Sequence, residues 1–219
     1  MPANLDGIAL RRSALFDAST LNAKLLANWT NPPYGPTAWE FWHKESVLHP
    51  ATDFAFCAVE TSTGRIIGSI ISRFRDTTFR PSDLVRPFAL TEVEKEEVQW
   101  RAYSDAEREN IEVFMNMSGE RYEAGAIEAQ QFLPEGRAFL HVRQMMVDED
   151  FRGRGIGGAL LGLVLAEARA RGCAVQLESW GKGRAFYKKY GSTDAGPIFP
   201  VGFDGKVADV EQSCMVWYV

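Results

Sequence analysis

The sequence is short of cysteine and histidine, and this excludes several classes of protein. Its 219 residues include three cysteines and three histidines. An odd number of cysteines, each in or beside an apolar run, argues against a disulfide framework and favours buried thiols in a reducing compartment. The histidines are scattered and form no zinc-ligand spacing with the cysteines. We therefore expect neither structural disulfides nor a metal site.

The sequence also lacks an excess of basic residues and a long apolar run. With 24 Lys and Arg against 29 Asp and Glu, the formal net charge is −5, which argues against a general nucleic-acid-binding protein. The longest apolar stretch, around Ile156 to Ala168, is too short and too glycine-rich to span a bilayer. The N-terminal residues show no signal-peptide pattern. We expect a cytoplasmic monomer or homodimer with neither a nucleic-acid nor a membrane partner.

The sequence contains enough apolar residues to form a full hydrophobic core. From its length, we expect one domain across residues 1–219. Hydrophobic residues make up 46% of the chain. The first half is predicted from alternating apolar residues, N-cap residues and turn residues. It comprises a strand at Gly7–Arg12, helices capped by Asp17 and Thr37, and a hairpin formed by Phe54–Glu60 and Arg65–Phe74.

The segment Asp76–Pro134 has a different, acidic character. Thr91-x-x-Glu94 and Ser104-x-x-Glu107 are capping boxes, which predict two helix starts. Two interpretations remain open: a solvated helical pair with a charged outer face, or a lid whose acidity attracts an amine substrate. The residues predicted to form its buried side are Val98, Trp100, Ile111, Phe114 and Met115.

The second half alternates strands and helices around a glycine-arginine loop. The predicted elements are a strand at Ala138–Val147, a helix at Gly158–Arg171 ended by Gly172, a strand at Cys173–Glu178, a short helix at Gly183–Tyr190, and closing strands at Gly196–Val201 and Gln212–Val219 around a turn at Gly202–Gly205. On the first of these strands, the period of two places His141, Arg143, Met145 and Val147 on one face.

The loop Arg152-Gly-Arg-Gly-Ile-Gly-Gly158 leads into a helix N-terminus and predicts a diphosphate site. The first amides of a helix have no internal partner, and the helix dipole adds partial positive charge there. Glycines let an anion approach the backbone, and Arg152 and Arg154 add charge. A glycine-rich turn that only tightens packing is the plainer alternative. The glycine spacing, with Glu178 about twenty residues further on, also fits a dinucleotide-binding fingerprint. The preceding hairpin and the acidic turn do not fit the repeated βαβ units of a dinucleotide-binding domain.

The stretch from Leu140 to Gly191 resembles the GNAT superfamily of N-acetyltransferases. The loop Arg152-Gly-Arg-Gly155-Ile-Gly157 is similar to the family's Q/R-x-x-G-x-G/A motif, and Met145 to Gly153 is similar to its L-x-V-x-P-x-x-R-G approach, with Glu149 at the proline position. Leu177-Glu-Ser and Phe186-Tyr-Lys-Lys-Tyr-Gly191 resemble its second block. The upstream order of strand, helices and hairpin is also the family's, and Asp76–Pro134 is an insertion between its third and fourth strands.

The resemblance implies an α/β (α+β) GNAT fold that binds acetyl-CoA as cofactor. The sheet would be central, mixed, mostly antiparallel and twisted, with flanking helices and with splayed strands ending at Val147 and Glu178. The acceptor would usually be a primary amine of a small molecule. The residues assigned to the cofactor are the strand end Met145, Met146 and Val147, the loop Arg152, Gly153, Arg154, Gly155, Ile156, Gly157 and Gly158, and Ser179 and Tyr187.

A neutral amine attacks a thioester directly, so the reaction needs no nucleophilic side chain. A main-chain amide at Met145 or Met146 is placed to stabilise the developing oxyanion. Tyr187 resembles the family's tyrosine that protonates the leaving thiolate. The general base stays open between His141, at the position of a family glutamate, and Glu178. A module that binds an acyl-CoA without catalysis is the alternative function.

Overall fold

The computed structural model of the chain describes residues 5–15, 17, 35–76, 88–133, 136–179, 181–198 and 212–219. The helix predicted after Asp17 and the turn predicted at Gly202–Gly205 lie outside these residues. The strands are β1 Ile8–Arg12, β2 Asp53–Glu60, β3 Ile66–Arg75, β4 Phe139–Val147, β5 Ala174–Ser179, β6 Thr193–Ile198 and β7 Gln212–Trp217. The α-helices are α1 Gly35–Leu48, α2 Glu92–Glu97, α3 Asp105–Gln130, α4 Ile156–Arg171 and α5 Lys182–Lys189.

The strands form one seven-stranded mixed sheet in the order β1-β2-β3-β4-β5-β7-β6. The pairs β1–β2, β5–β7 and β6–β7 are antiparallel, whereas β4 and β5 are parallel. In the parallel pair, the register places His141 opposite Gln176. A sheet of this order with flanking helices confirms the predicted fold class.

Several predicted boundaries are shifted, and the following four concern the starts of helices and strands. The helix assigned to Thr37 begins at Gly35, so Thr37 lies inside the first turn instead of capping it. The loop helix begins at Ile156, two residues before Gly158, because the backbone turns helical directly after Gly155. The short helix starts at Lys182. The first closing strand is Thr193–Ile198 instead of Gly196–Val201, and a register shift lies at Asp194/Gly196.

Both capping boxes of the insertion are confirmed. Thr91 accepts a hydrogen bond from the Glu94 amide, and the Glu94 carboxylate accepts one from the Thr91 amide. The Ser104 amide donates to Glu107 at 2.8 Å, and the Glu107 amide donates back to Ser104 Oγ at 3.3 Å. All five residues predicted to be the apolar side of this segment are buried. The helix starts and the inner face were therefore readable from local pattern.

The helix that follows the loop buries one stripe and ends where the sequence predicts. The predicted stripe of Leu161, Val164, Leu165 and Ala168 is buried. Gly172 has φ +62°, and the Cys173 amide donates to the Ala168 carbonyl at 3.0 Å. A left-handed glycine followed by this 6→1 bond is the Schellman ending, which satisfies a carbonyl of the last turn.

The chain forms two compact units. The first comprises the described residues of Met1–Ser72, Phe88–Asn116 and Gln144–Leu163; the second comprises those of Arg73–Pro87, Met117–Arg143 and Val164–Val219. The first unit contains a core cluster of Cys57, Val59, Ile66 and Met146. The second contains a cluster of Ile198, Cys214 and Val216. The single domain across residues 1–219 stays a prediction.

In the second unit, the end of the insertion is held against the closing strands by Phe132. Its ring lies so close to Gly196 that a Cβ there would be 2.6 Å from the ring Cε1. Gly196 has φ +154° at the register shift of β6. The Phe132 carbonyl also accepts a hydrogen bond from Tyr218 Oη at 2.9 Å. Only glycine fits at this position without a shift of the ring.

All three cysteines are free and buried, which confirms the prediction of buried thiols. Over the described part of the chain, no helix has both the length and the apolarity needed to cross a membrane. Among the same residues, no group of three or more His, Cys, Asp and Glu side chains is arranged to hold a metal ion.

A buried histidine in α1 predicts loss of stability in acid. Among the described residues, neither ring nitrogen of His43 has a hydrogen-bond partner. Burial lowers the pKa of His43 to about 4, although the Asp17 carboxylate acts in the opposite direction. In the unfolded chain, His43 has a pKa near the ordinary value of 6.5. Between pH 6.5 and about 4 the unfolded chain therefore binds more protons than the folded chain. Stability falls as the pH falls through this range.

Lowering the pH from 7 to 5 is expected to cost the wild type about 2 kcal/mol through His43. The variant His43→Leu lacks this titration, so its stability should fall less over the same range. Urea unfolding of both proteins at the two pH values measures the difference. Equal losses in the two proteins would contradict a buried, neutral His43.

Candidate active site

The glycine-arginine loop leaves the sheet through a capped turn. After β4, the Asp148 amide donates to the Ile67 carbonyl at 2.8 Å, and its carboxylate accepts from the Asp150 amide at 3.1 Å. A 3₁₀ turn at Glu149–Phe151 follows. Asp148 thus caps this turn. The turn includes Glu149, which stands at the proline position of the family's motif. It delivers the chain to the loop in a fixed direction.

Two glycines of the loop have conformations that other residues rarely adopt. Gly153 has φ +78° and Gly155 has φ +88°. These left-handed values let the chain reverse sharply just before α4 begins at Ile156. Glycine at these two positions therefore has a backbone cause, in addition to the approach of an anion that the sequence predicts for the loop.

The amides at the start of α4 are available to an anion. The first bond within the helix runs from the Ala159 amide to the Gly155 carbonyl at 3.0 Å. The amides of Ile156, Gly157 and Gly158 therefore have no acceptor within the helix. Gly157 and Gly158 carry no Cβ, and both are partly exposed. This is the arrangement that binds phosphate groups at helix N-termini.

The two arginines of the loop are tied to main-chain carbonyls. Arg152 Nε donates to the Val147 carbonyl at 3.2 Å, and an Arg154 guanidinium nitrogen donates to the Asp6 carbonyl at 3.1 Å. Each interaction uses one donor of a group that has five. The remaining donors of both guanidinium groups stay available for a ligand.

The three residues at the end of β4 divide between core and surface. The Met146 side chain is buried in the cluster with Cys57, Val59 and Ile66. Met145 and Val147 are half-buried. A cofactor role for Met146 is therefore restricted to its main chain, as the sequence predicts for the oxyanion donor.

A close approach of β3 to α4 supports the loop from below. A Cβ on Gly68 would lie 3.2 Å from Leu160 Cδ1, 3.2 Å from the Met146 carbonyl oxygen and 3.3 Å from Ile156 Cγ2. These three atoms belong to the second turn of α4, the end of β4 and the first residue of α4. Gly68 thus sets how closely the helix N-terminus lies on the sheet.

In the second unit, the two candidates for the general base form one pair. His141 Nε2 lies 3.0 Å from Glu178 Oε2, and Gln176 Nε2 donates to Glu178 Oε1 at 2.8 Å. The His141 side chain is fully buried, whereas that of Glu178 is 12% exposed. The carboxylate is therefore the member of the pair that solvent or a substrate can reach.

The carboxyl of Glu178 is held in its charged form. Burial alone raises the pKa of a carboxyl group, but the adjacent His141 and the hydrogen bonds from His141 and Gln176 outweigh it, so the pKa of Glu178 lies below its ordinary value. The negative charge in turn contributes, after burial itself, to raising the pKa of the buried Cys214 thiol to about 12. This thiol is consequently not a nucleophile at neutral pH.

The tyrosine predicted to be the general acid lies in an aromatic cluster. The Tyr187 ring makes edge contacts with Phe186 and Trp217, at centroid distances of 5.1 and 5.9 Å. Burial raises the pKa of Tyr187 to about 12. The hydroxyl therefore keeps its proton at neutral pH and is able to donate it.

The helix that carries Tyr187 is fixed at both ends. Near its start, a Cβ on Gly183 would lie 2.5 Å from Ser179 Oγ, which places the buried Ser179 directly beneath the helix. After its last turn, the Tyr190 carbonyl accepts from Trp217 Nε1 at 2.9 Å. Ser179 is thus a packing partner of α5, and its assignment to the cofactor stays a prediction.

Three residues that contact or support the candidate site residues were not predicted from the sequence: Gln176, Gly68 and Gly183. Gln176 bonds to Glu178 and lies two positions before it, so the period of two along a strand would have indicated it. Gly68 is required because β3 lies close to α4, which is distant in the chain. Gly183 is required because the start of α5 lies close to Ser179, across a turn. No local pattern marks those contacts.

Residues 109–191 match the family model described as the acetyltransferase (GNAT) domain. The match includes the loop, the His141–Glu178 pair and Tyr187, and it confirms the resemblance to the GNAT superfamily. No curated protein sequence matches the chain.

Several solved structures share the fold over nearly the whole chain. An apo mutant of agmatine N-acetyltransferase has a TM-score of 0.61 at 19% identity and covers 98% of this chain and 100% of its own. Drosophila melanogaster polyamine N-acetyltransferase, which catalyses the formation of N-acetylagmatine, has a TM-score of 0.59 at 19% identity, covering 97% and 100%. Arabidopsis thaliana NAA60 in complex with acetyl-CoA has a TM-score of 0.57 at 15% identity, covering 97% and 98%. Similarity at these identities shows the fold, which is the GNAT fold.

Proposed function

We propose that this chain is an N-acetyltransferase that transfers the acetyl group of acetyl-CoA to a primary amine of a small-molecule or peptide acceptor. The amine attacks the thioester directly while both substrates are bound. The observation that carries the proposal is the set of amides at Ile156, Gly157 and Gly158 without acceptors in the helix, behind a loop with two left-handed glycines. The match of the surrounding residues to the GNAT domain supports acetyl-CoA as the ligand of this anion site.

The residues present fit a diphosphate-bearing cofactor. The start of α4 supplies three amide donors and the positive end of a helix dipole. Arg152 and Arg154 retain donors beyond those bound to carbonyls. The bound acetyl-CoA supplies an activated acyl group as a thioester. The main chain at Met145 and Met146 supplies the amide that stabilises negative charge on the acyl oxygen.

The acceptor amine is protonated at neutral pH and must lose a proton before it attacks. Glu178 offers a charged, partly exposed carboxylate to the ammonium group, and His141 contacts the same carboxylate at 3.0 Å. We assign the proton of the amine to this pair acting together, and their 3.0 Å contact supports a shared role for the two residues that the sequence offers as alternatives. A positioned acid–base group of this kind typically contributes a factor of about 10² to 10⁴ in rate.

Tyr187 is assigned to the leaving group. Its hydroxyl is protonated over the whole neutral range, because burial raises its pKa to about 12. The ammonium loses two protons on its way to the amide. The first goes to the His141–Glu178 pair and then to solvent, and the second leaves the nitrogen as the tetrahedral intermediate collapses and replaces the proton that Tyr187 gives to the departing thiolate. The fixed ends of α5 keep the phenol in place during turnover.

Two observations favour a small cationic amine as acceptor. Agmatine N-acetyltransferase and polyamine N-acetyltransferase, which share the fold, act on such amines. The insertion of this chain is also acidic: four of the six residues of α2 are glutamates, Glu92, Glu94, Glu96 and Glu97, and Glu107 follows at the next helix start. Negative charge on a protein surface raises the local concentration of cations around it.

Binding of acetyl-CoA tests the donor half of the proposal. At 100 times Kd it is expected to raise Tm by roughly 5–10 °C, because it binds only the folded chain. Gly157→Glu places a carboxylate among the free amides and should abolish the shift. Gly162→Glu is the matched control, because Gly162 lies on the same helix and a Cβ there meets nothing within 4 Å.

Release of free thiol in the presence of agmatine, spermidine or a lysine peptide tests the acceptor half. Amine-dependent release supports the transferase. A thermal shift without release for any amine would instead identify a binding module for acyl-CoA. No shift at millimolar acetyl-CoA would contradict both readings.

A further inference from the structure

Two arginines from different parts of the first unit share one aromatic ring next to the glycine-arginine loop. The guanidinium carbons of Arg65 and Arg154 lie 5.1 and 5.4 Å from the centroid of the Phe151 ring. Arg65 immediately precedes β3, whereas Arg154 lies in the loop itself. Phe151 is buried and directly precedes Arg152. The ring therefore gathers two cations at the edge of the anion site.

Among the described residues, one carboxylate compensates this pair of cations, that of Glu60, which forms a long ion pair with Arg65. Glu60 lies 3.9 Å from Arg65 Nε, beyond hydrogen-bond distance. Within the part of the chain that the structure describes, Arg154 has no carboxylate partner, and its hydrogen bond goes to the Asp6 carbonyl. Two guanidinium groups held on one ring repel each other unless an anion lies between or beside them. Stacking on Phe151 holds them in place without neutralising them.

Coenzyme A carries two separate anionic groups, and this matters for the assignment. Its pyrophosphate matches the amides at the start of α4, on which the proposed function rests. Its ribose carries a further phosphomonoester at the 3′ position, which is nearly dianionic at neutral pH. Guanidinium groups bind such a phosphate through parallel hydrogen bonds, more strongly than an ammonium group does.

We propose that Arg65 and Arg154, held on Phe151, bind the 3′-phosphate of coenzyme A and make the enzyme selective for acetyl-CoA over acetyl-dephospho-CoA. The two compounds differ only in this phosphate. The selectivity is therefore a direct measure of the subsite, because both compounds carry the same pyrophosphate and a change at the pyrophosphate site affects both affinities. The two arginines act on binding and take no part in the chemical step.

The test is the ratio of the dissociation constants of acetyl-dephospho-CoA and acetyl-CoA, measured by calorimetry with the wild type, Arg65→Gln and Arg154→Gln. The wild type is expected to prefer acetyl-CoA by about 10- to 100-fold, the range of a charge-assisted hydrogen bond. Each variant should reduce this preference to roughly threefold or less. Arg169→Gln, in the last turn of α4, is the matched control and should keep the wild-type ratio.

The outcomes separate this inference from the proposed function. Equal affinity of the wild type for the two compounds would overturn the 3′-phosphate subsite and leave the acetyl-CoA site standing. The subsite would also be overturned if both variants kept the wild-type ratio of dissociation constants. Circular dichroism would verify that both variants are folded. Absence of binding of either compound would overturn the proposed function and the subsite together.

Discussion

Replacing Glu178 with glutamine is expected to lower kcat/KM for amine acetylation by about 10²- to 10³-fold. The variant keeps the shape of the side chain and the contact with Gln176, but it removes the charge that receives the ammonium group. His141→Gln should cause a loss of similar size, because the two side chains act on one proton. The measurement is initial-rate thiol release at saturating acetyl-CoA over a range of acceptor concentrations.

Non-additivity distinguishes a working pair from two independent residues. The double variant should be about as slow as the slower single variant, because removing either member already disables the pair. Acetyl-CoA affinity should change little in all three proteins. Glu167→Gln is the control, because Glu167 is a surface residue paired with Arg171 on α4. Multiplicative losses, or an unchanged rate in Glu178→Gln, would contradict the assignment.

Gly68→Ala is expected to destabilise the protein by about 1–3 kcal/mol, the usual cost of adding a methyl group to a packed core. The new Cβ would press on Leu160, Ile156 and the Met146 carbonyl at 3.2–3.3 Å. Relief of this contact moves the start of α4 away from the sheet, so acetyl-CoA binding should weaken as well. Urea unfolding and calorimetry measure the two effects.

A glycine-to-alanine substitution at Gly162 provides a control, because it should change the stability in the opposite direction. Gly162 lies inside α4, where a Cβ meets nothing within 4 Å. Gly162→Ala should therefore stabilise the protein by about 0.5–1 kcal/mol through helix propensity alone. Acetyl-CoA affinity should be unchanged. A Gly68→Ala protein as stable as the wild type would show that α4 does not depend on this approach.

Local features were predictable from the sequence because their causes lie within a few residues. The capping boxes at Thr91 and Ser104 and the helix end at Gly172 each depend on a side chain or a backbone conformation at that position. The hairpin of β2 and β3 follows from two β-rich runs around a short turn. The boundaries that shifted, at Ile156 and Thr193, depend instead on how the chain leaves a turn or joins a neighbouring strand.

The candidate site was predicted as separate residues and not as an arrangement. His141 and Glu178 were alternatives for one role because they are 37 positions apart. Their contact is set by the parallel register of β4 and β5, which pairs His141 with Gln176. Register between distant strands is decided by the packing of the whole sheet. The contact of Gln176 with Glu178, in contrast, lies within one strand, and the period of two would have indicated it.

The stacking of Arg65 and Arg154 on Phe151 was beyond the sequence for a related reason. Arg154 was recognised by its place in the loop motif, whereas Arg65 follows a hairpin turn and has no motif of its own. Bringing the two together requires the start of β3 to lie beside the turn after β4. This contact depends on strand order within the sheet.

The contact of Phe132 with Gly196 has a consequence for how this chain can vary. A larger residue at 196 is compatible with the fold only if 132 becomes smaller, because the Cβ and the ring compete for one space. The two positions thus form a single unit of sequence change. An engineer who shortens or exchanges the insertion should place the downstream junction before Phe132, so that the ring and its glycine are inherited together.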